Sequence, residues 1–212
     1  MSRFYWIYSL MLVGAAFLAA LSGCPSLYAL PPTQGRLWGS LAAAGLLSFA
    51  AIRGSVALAR VPWFRRMAAL LKRLLTHPEL LGPELDTSRA LPIAAYSALG
   101  EEAFFRGFVQ PWLILRCAAL LGQPPDELAP VACGVLVASV LFGLVHFPVL
   151  EALRPWTLFA VLAGLGFGVL AAASGSLIAP VIAHFLINWR NLVWLARSEV
   201  EPLDLDELLK PR

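Results

Sequence analysis

The stretch from Ala90 to Leu121 is apolar and long enough to cross a bilayer, yet it carries three charges at its centre. These are Glu101, Glu102 and Arg106. A charged side chain in the middle of a membrane costs at least ~2.5–3.5 kcal/mol, so such groups pair with one another or mark a functional site. Any fold of this chain has to supply their partners. Helical geometry divides the three. Glu102 and Arg106 stand four residues apart, share a face and are expected to form an ion pair. Glu101 lies about 140° around the helix from Arg106, beside Phe105 and Phe108, and the same helix cannot satisfy it. Glu102 and Arg106 are therefore read as structural, and Glu101 as the candidate general base. The bland alternative is an ion-pair knot that only pins helices together.

The rest of the chain is equally apolar. Of its 212 residues, 59% are hydrophobic and 14% charged, which excludes a soluble domain around one buried core. Alternating ten-residue strands are absent, which argues against a membrane barrel. The expected fold class is all-α: a polytopic membrane protein of about six transmembrane helices plus a basic interfacial helix. The spans are expected near residues 4–21, 37–59, 90–121, 131–147, 156–173 and 178–196. Pro111 is expected to kink the third span or end its regular part.

Between the second and third spans, Arg60, Arg65, Arg66, Lys72 and Arg73 interleave with Trp63, Phe64, Met67, Leu70 and Leu74. This pattern reads as an amphipathic helix on an anionic membrane surface, marking the cytoplasmic side. The net charge is only +3, with the basic residues gathered in that one loop. That distribution points to membrane topology and away from nucleic acid as a partner. His77–Arg89 reads as a polar connection, with His77 a solvated loop residue. The organisation expected is a two-helix membrane segment with its basic loop (1–89), a catalytic membrane core (90–198) and an acidic cytoplasmic tail (199–212).

The three cysteines, Cys24, Cys117 and Cys133, form no evident framework. Leu21-Ser22-Gly23-Cys24 has the form of a lipoprotein cleavage site, but the segment before it is read as a retained helix. Cys117 and Cys133 are read as small packing residues, neither disulfide-bonded nor metal-ligating. Gly164, Gly168 and Ala172 have the small-xxx-small spacing of close helix packing.

Polar residues recur in two later spans. The fourth carries His146, one turn after Phe142, and the sixth carries His184 and Asn188 on one face. A carboxylate, two histidines and an asparagine from three helices form a set that packing alone does not require. It suits amide hydrolysis. Glu101, helped by His146, would deprotonate a water. His184 and Asn188 would donate hydrogen bonds to the oxyanion of the tetrahedral intermediate, and Glu102 with Arg106 would hold the base in place. Glu101, His146 and His184 could also ligate Zn²⁺, although the H-E-x-x-H helix of zinc proteases is absent. For both histidines to reach Glu101, a span is expected to be broken, re-entrant or displaced, with Pro148, Pro155 and Pro180 available to do it.

Glu101-Glu102-x-x-x-Arg106, Phe142-x-x-x-His146 and His184-x-x-x-Asn188 resemble, in order, the three motifs of the CPBP intramembrane proteases. That family comprises the type II CAAX prenyl endopeptidases and bacterial relatives, including bacteriocin-immunity and lysostaphin-resistance-like proteins. The resemblance covers about residues 91–194. It implies an all-helical membrane endopeptidase with Glu101, His146, His184 and Asn188 at its catalytic centre and a protein or peptide substrate in or at the bilayer; the compact, Ala- and Leu-rich chain points to a bacterial inner membrane. Whether the family works through a metal or through glutamate alone is carried over as an open choice. A non-catalytic immunity or scaffold protein built on the same polar network is the competing reading.

Overall fold

The computed structural model describes residues 2–75, 86–148 and 153–197. The connection around His77 and the acidic tail lie outside them. Eight α-helices follow one another: α1 (Ser2–Leu21), α2 (Gln34–Leu58), α3 (Pro62–Leu75), α4 (Thr87–Phe104), α5 (Gln110–Leu121), α6 (Leu128–Val145), α7 (Arg154–Ser174) and α8 (Ile178–Arg197). A five-residue π-helical segment, Phe105–Val109, joins α4 to α5. Among the described residues there is no strand.

Five helical runs are long and apolar enough to cross a membrane: α2, the continuous Thr87–Leu121, α6, α7 and α8. α1 adds a shorter apolar stretch, Tyr5–Leu21. The chain is an all-helical, polytopic membrane protein. Large apolar side chains stand on its outside, among them Leu46, Leu120 and Leu128, the surface that lipid requires. Inside, helices approach through small residues: Ala15, Ala44, Ala94, Ala98, Ala138, Ala171 and Ala183 are fully buried. In lipid, where apolar burial between helices gains little, close backbone approach of this kind supplies the association energy. α1 packs along α4, and α2 along α8 and α7, so the N-terminal helices belong to the same body as the rest.

The long third run begins at an Asp86 N-cap. Its carboxylate accepts hydrogen bonds from Arg89 N (2.8 Å) and Ser88 Oγ (2.8 Å). The Arg89 amide, with the Ser88 hydroxyl, holds that carboxyl below the usual carboxylate range. Regular α geometry gives way just before Pro111, as expected, while the helical run continues to Leu121. The wider π turn sits directly before Pro111 and takes up the ring and missing N–H that a regular α turn would not accept. α6, α7 and α8 are unbroken, so the broken or re-entrant span expected from the histidine positions is not found among the described residues. The irregular backbone is instead in the helix that carries the glutamates.

Two further expectations are corrected. Cys117 of α5 and Cys133 of α6 are disulfide-bonded, with Cα atoms 6.4 Å apart, while Cys24 is free. The six-residue loop 122–127 folds α5 and α6 into a hairpin that brings the two cysteines face to face. Gly134 permits it, because a Cβ there would press on the Ile114 backbone. α3 is amphipathic as read, but its apolar side does not rest on lipid. Phe64, Met67 and Leu70 are buried against Leu153, with Trp156, Phe159 and Trp194 around them.

Gly100 sets how closely α1 approaches α4. A Cβ at this position would lie 2.9 Å from the backbone oxygen of Tyr8, which cannot yield without moving the helix. Gly100→Ala is expected to destabilise the protein by about 1–3 kcal/mol, the usual cost of overpacking. Thermal unfolding in detergent should show it. Gly45→Ala, where nothing lies within 4 Å, should leave the transition in place.

Candidate active site

The charged residues lie where α4 passes into the π segment. Glu102 and Arg106 have no exposed side-chain surface and pair at 3.1 Å (Oε1 to Nη1). Arg106 also donates from Nη2 to the carbonyl oxygen of Gly164 on α7, at 2.9 Å. Its guanidinium carbon stands 4.5 Å from the Phe142 ring centroid and 5.5 Å from that of Phe167. One turn on, Gln110 repeats the pattern, donating from Nε2 to Gly168 O at 3.0 Å. Gly164 and Gly168 therefore do more than let helices touch. A Cβ at Gly164 would lie 3.1 Å from Arg106 Nη2 and 3.2 Å from the Phe142 ring, and one at Gly168 would lie 2.8 Å from Gln110 Oε1. The glycine stripe is the space into which two polar side chains of the third run are inserted.

Glu102 has a second partner that helical spacing does not reveal. His184 of α8 donates its Nδ1 proton to Glu102 Oε1, at 2.7 Å. This fixes the tautomer, so the neutral ring presents its Nε2 lone pair on the other side. Phe167 stacks on the same ring at 4.8 Å between centroids, with 13° between planes. His146, the residue that ends α6, folds its ring back along its own helix and donates from Nδ1 to Phe142 O at 2.7 Å. That hydrogen bond brings a residue at the end of a span within reach of the site without breaking the span.

Glu101 is reached from both histidines. Its Oε2 lies 3.7 Å from His146 Nε2 and 3.8 Å from His184 Nε2, and it has no hydrogen-bond partner among the described residues. Its other oxygen, Oε1, accepts a hydrogen bond from the hydroxyl of Tyr8 on α1, at 3.1 Å. Asn188 stands one turn beyond His184 and donates from Nδ2 to Ser97 Oγ at 3.1 Å. Ser97 is in turn one turn before Glu101. All six residues singled out in the sequence are thus in this region. Glu101, Glu102, Arg106, His146 and His184 form one connected group, with Asn188 on the adjoining turn. Tyr8 and Ser97 were not foreseen. Neither carries a motif, and a lone hydroxyl in an apolar helix is a weak signal.

The donor types of Glu101, His146 and His184 suit zinc, and each histidine has the outer hydrogen bond that a ligand histidine usually makes. The spacing does not close on an ion. Ligand atoms ~2.0–2.1 Å from a tetrahedral zinc stand about 3.3–3.4 Å apart, less than either separation measured here. Among the described residues, no group of three or more His, Cys, Asp or Glu side chains is gathered as a metal site. As placed, these residues do not fit a resident ion, and no step below passes through one.

Comparison with family models matches residues 83–190 to the type II CAAX prenyl endopeptidase Rce1-like family. The chain belongs to that family. At the family level it is a CAAX-type intramembrane protease, and the matched region runs from just before α4 through most of α8. It holds Glu101, Glu102, Arg106, His146, His184 and Asn188, but not Tyr8. No curated protein and no solved structure matches the chain.

Removing Arg106 would leave the Glu102 carboxylate buried without its ion-pair partner. Arg106→Met is expected to cost about 3–5 kcal/mol, as for other broken buried ion pairs. Arg106→Lys should not restore the loss, since a lysine lacks the planar fork that reaches both Glu102 and the Gly164 carbonyl. The yield of folded protein and its unfolding temperature in detergent would report both.

Proposed function

We propose that the protein is an endopeptidase that hydrolyses a peptide bond of a membrane-associated protein or peptide precursor. The bilayer is a bacterial inner membrane, with α3 on its cytoplasmic side. The observation that carries this reading is the convergence of Glu101 Oε2, His146 Nε2 and His184 Nε2, with Glu101 Oε2 left without a protein partner. Atoms at these separations are close enough to share one water at ordinary hydrogen-bond distance, about 2.8 Å from each.

Glu101 then acts as general base. One proton of the water passes to its carboxylate while the water oxygen forms a bond to the scissile carbonyl carbon. The oxyanion that results accepts hydrogen bonds from the amide group of Asn188 and from His184 Nε2, which takes up a solvent proton for this step and gives it back on product release. Asn188 has two amide protons, and only one is held by Ser97. Glu102 orients His184 through the Nδ1 hydrogen bond, and Arg106 holds Glu102 in place. Glu101 finally returns its proton to the amide nitrogen as the C–N bond breaks, giving a carboxylic acid and an amine, which ionise to a carboxylate and an ammonium.

Glu101→Gln keeps the size of the side chain but removes the base, and is expected to abolish turnover. The test compares peptide termini across the membrane and secreted proteomes of cells carrying the native protein or the variant. Precursors that accumulate only with Glu101→Gln establish proteolysis and identify the substrate together. Matching termini, while loss of the whole protein still has a phenotype, would mean that the network serves an immunity or scaffold function instead.

A further inference from the structure

We infer that Tyr8, on the N-terminal helix outside the family-matched region, positions the catalytic carboxylate; this rests on the reading of Glu101 as the general base. Glu101 has two oxygens with different surroundings. Oε2 faces the two histidines, and Oε1 is held by the Tyr8 hydroxyl at 3.1 Å. Among the described residues, no other group hydrogen-bonds Oε1. Arg106 is committed to Glu102 and the Gly164 carbonyl, and His184 Nδ1 to Glu102.

A glutamate side chain has three rotatable bonds, and without a hold on one oxygen it samples several rotamers. Only some of these place a lone pair between the histidines. Tyr8 selects among them, and it does so from a helix that α4 receives unusually closely. Gly100, the residue before Glu101, lies so near Tyr8 that a Cβ would sit 2.8 Å from its ring and 2.9 Å from its backbone oxygen. One turn away, Tyr5 packs edge-on against Tyr96 of α4, with ring centroids 4.7 Å apart. The α1–α4 seam is thus built around the tyrosine that reaches the base. In this chain α1 completes the active site.

The experiment follows the appearance of cleaved termini in the membrane proteome after induced expression of four full-length forms: native, Tyr8→Phe, Tyr5→Phe and Glu101→Gln. Tyr8→Phe removes one oxygen and is expected to yield the native termini about 10–100-fold more slowly, the range for a lost hydrogen bond to a charged group. On a synthetic peptide spanning a cleaved bond found this way, the loss should fall on kcat, with KM little changed. Tyr5→Phe should match the native rate. As a readout independent of turnover, the infrared carboxylate band that disappears in Glu101→Gln should shift in Tyr8→Phe, because one of its oxygens loses a donor. A native rate or an unshifted band in Tyr8→Phe would overturn the assignment of Tyr8. Native termini in Glu101→Gln would overturn the hydrolytic reading itself.

Discussion

A guanidinium with no exposed atom, in the middle of a membrane protein, decides much of the structure around it. Arg106 has to be surrounded by acceptors, because an uncompensated buried charge is among the most expensive features a fold can carry. Its partners come from two directions, Glu102 on its own helix and the Gly164 carbonyl on α7. To accept the second, α7 must present bare backbone, hence the glycine. To accept the first, Arg106 must stay within reach of Glu102, although Arg106 itself lies inside the π segment Phe105–Val109. The widening therefore begins within the turn that joins the pair and ends shortly before Pro111. Aromatic faces of Phe142 and Phe167 close the remaining sides. The ion pair adds little net stability over an apolar replacement of the same shape. What it adds is registry, because only one placement of the third run against α7 satisfies it.

The same fixed point orients the chemistry. Glu102 Oε1 accepts from Arg106 and from His184 Nδ1, so the carboxylate that neutralises the arginine also sets the histidine tautomer. The order Gly164 carbonyl, Arg106, Glu102, His184 is a chain of hydrogen bonds running from backbone to a ring nitrogen that faces Glu101. Each member has its next partner defined, which is how a site at membrane depth holds its geometry without solvent to correct it.

What could be read from the sequence was what local periodicity encodes. Glu102 with Arg106, and His184 with Asn188, are four residues apart, and helix geometry alone puts each pair on one face. The three motifs carried the family for the same reason. The pairing of His184 with Glu102 spans 82 residues, Arg106 with Gly164 spans 58, and Tyr8 with Glu101 spans 93. No spacing rule reaches that far. The glycines of α7 had the right pattern and only half the right meaning, since small-xxx-small spacing says that something comes close but not whether it is a backbone or a charged side chain. The disulfide was missed because two cysteines in separate apolar segments look like packing until the α5–α6 hairpin aligns them. Pro111 signalled the irregular backbone of the third run, whereas the further break expected beside the histidines is not found in α6, α7 or α8.

Burial within the site is graded, and the gradient assigns a direction to it. Glu102 and Arg106 have no exposed side-chain surface, His184 has 5%, Glu101 10% and His146 24%. The ion pair that orients its neighbours is the driest, and the groups that converge on Glu101 Oε2 are more exposed. His146 sits at the C-terminal end of α6, with its ring near Trp156, and is the most exposed of these side chains. A hydrolase inside a bilayer has to admit one reactant that the bilayer excludes while protecting the charges that bind it. Placing one histidine at a helix end and the other seven residues into α8 meets both demands. The first ring faces the water and the second is held by the buried carboxylate, with Glu101 between them.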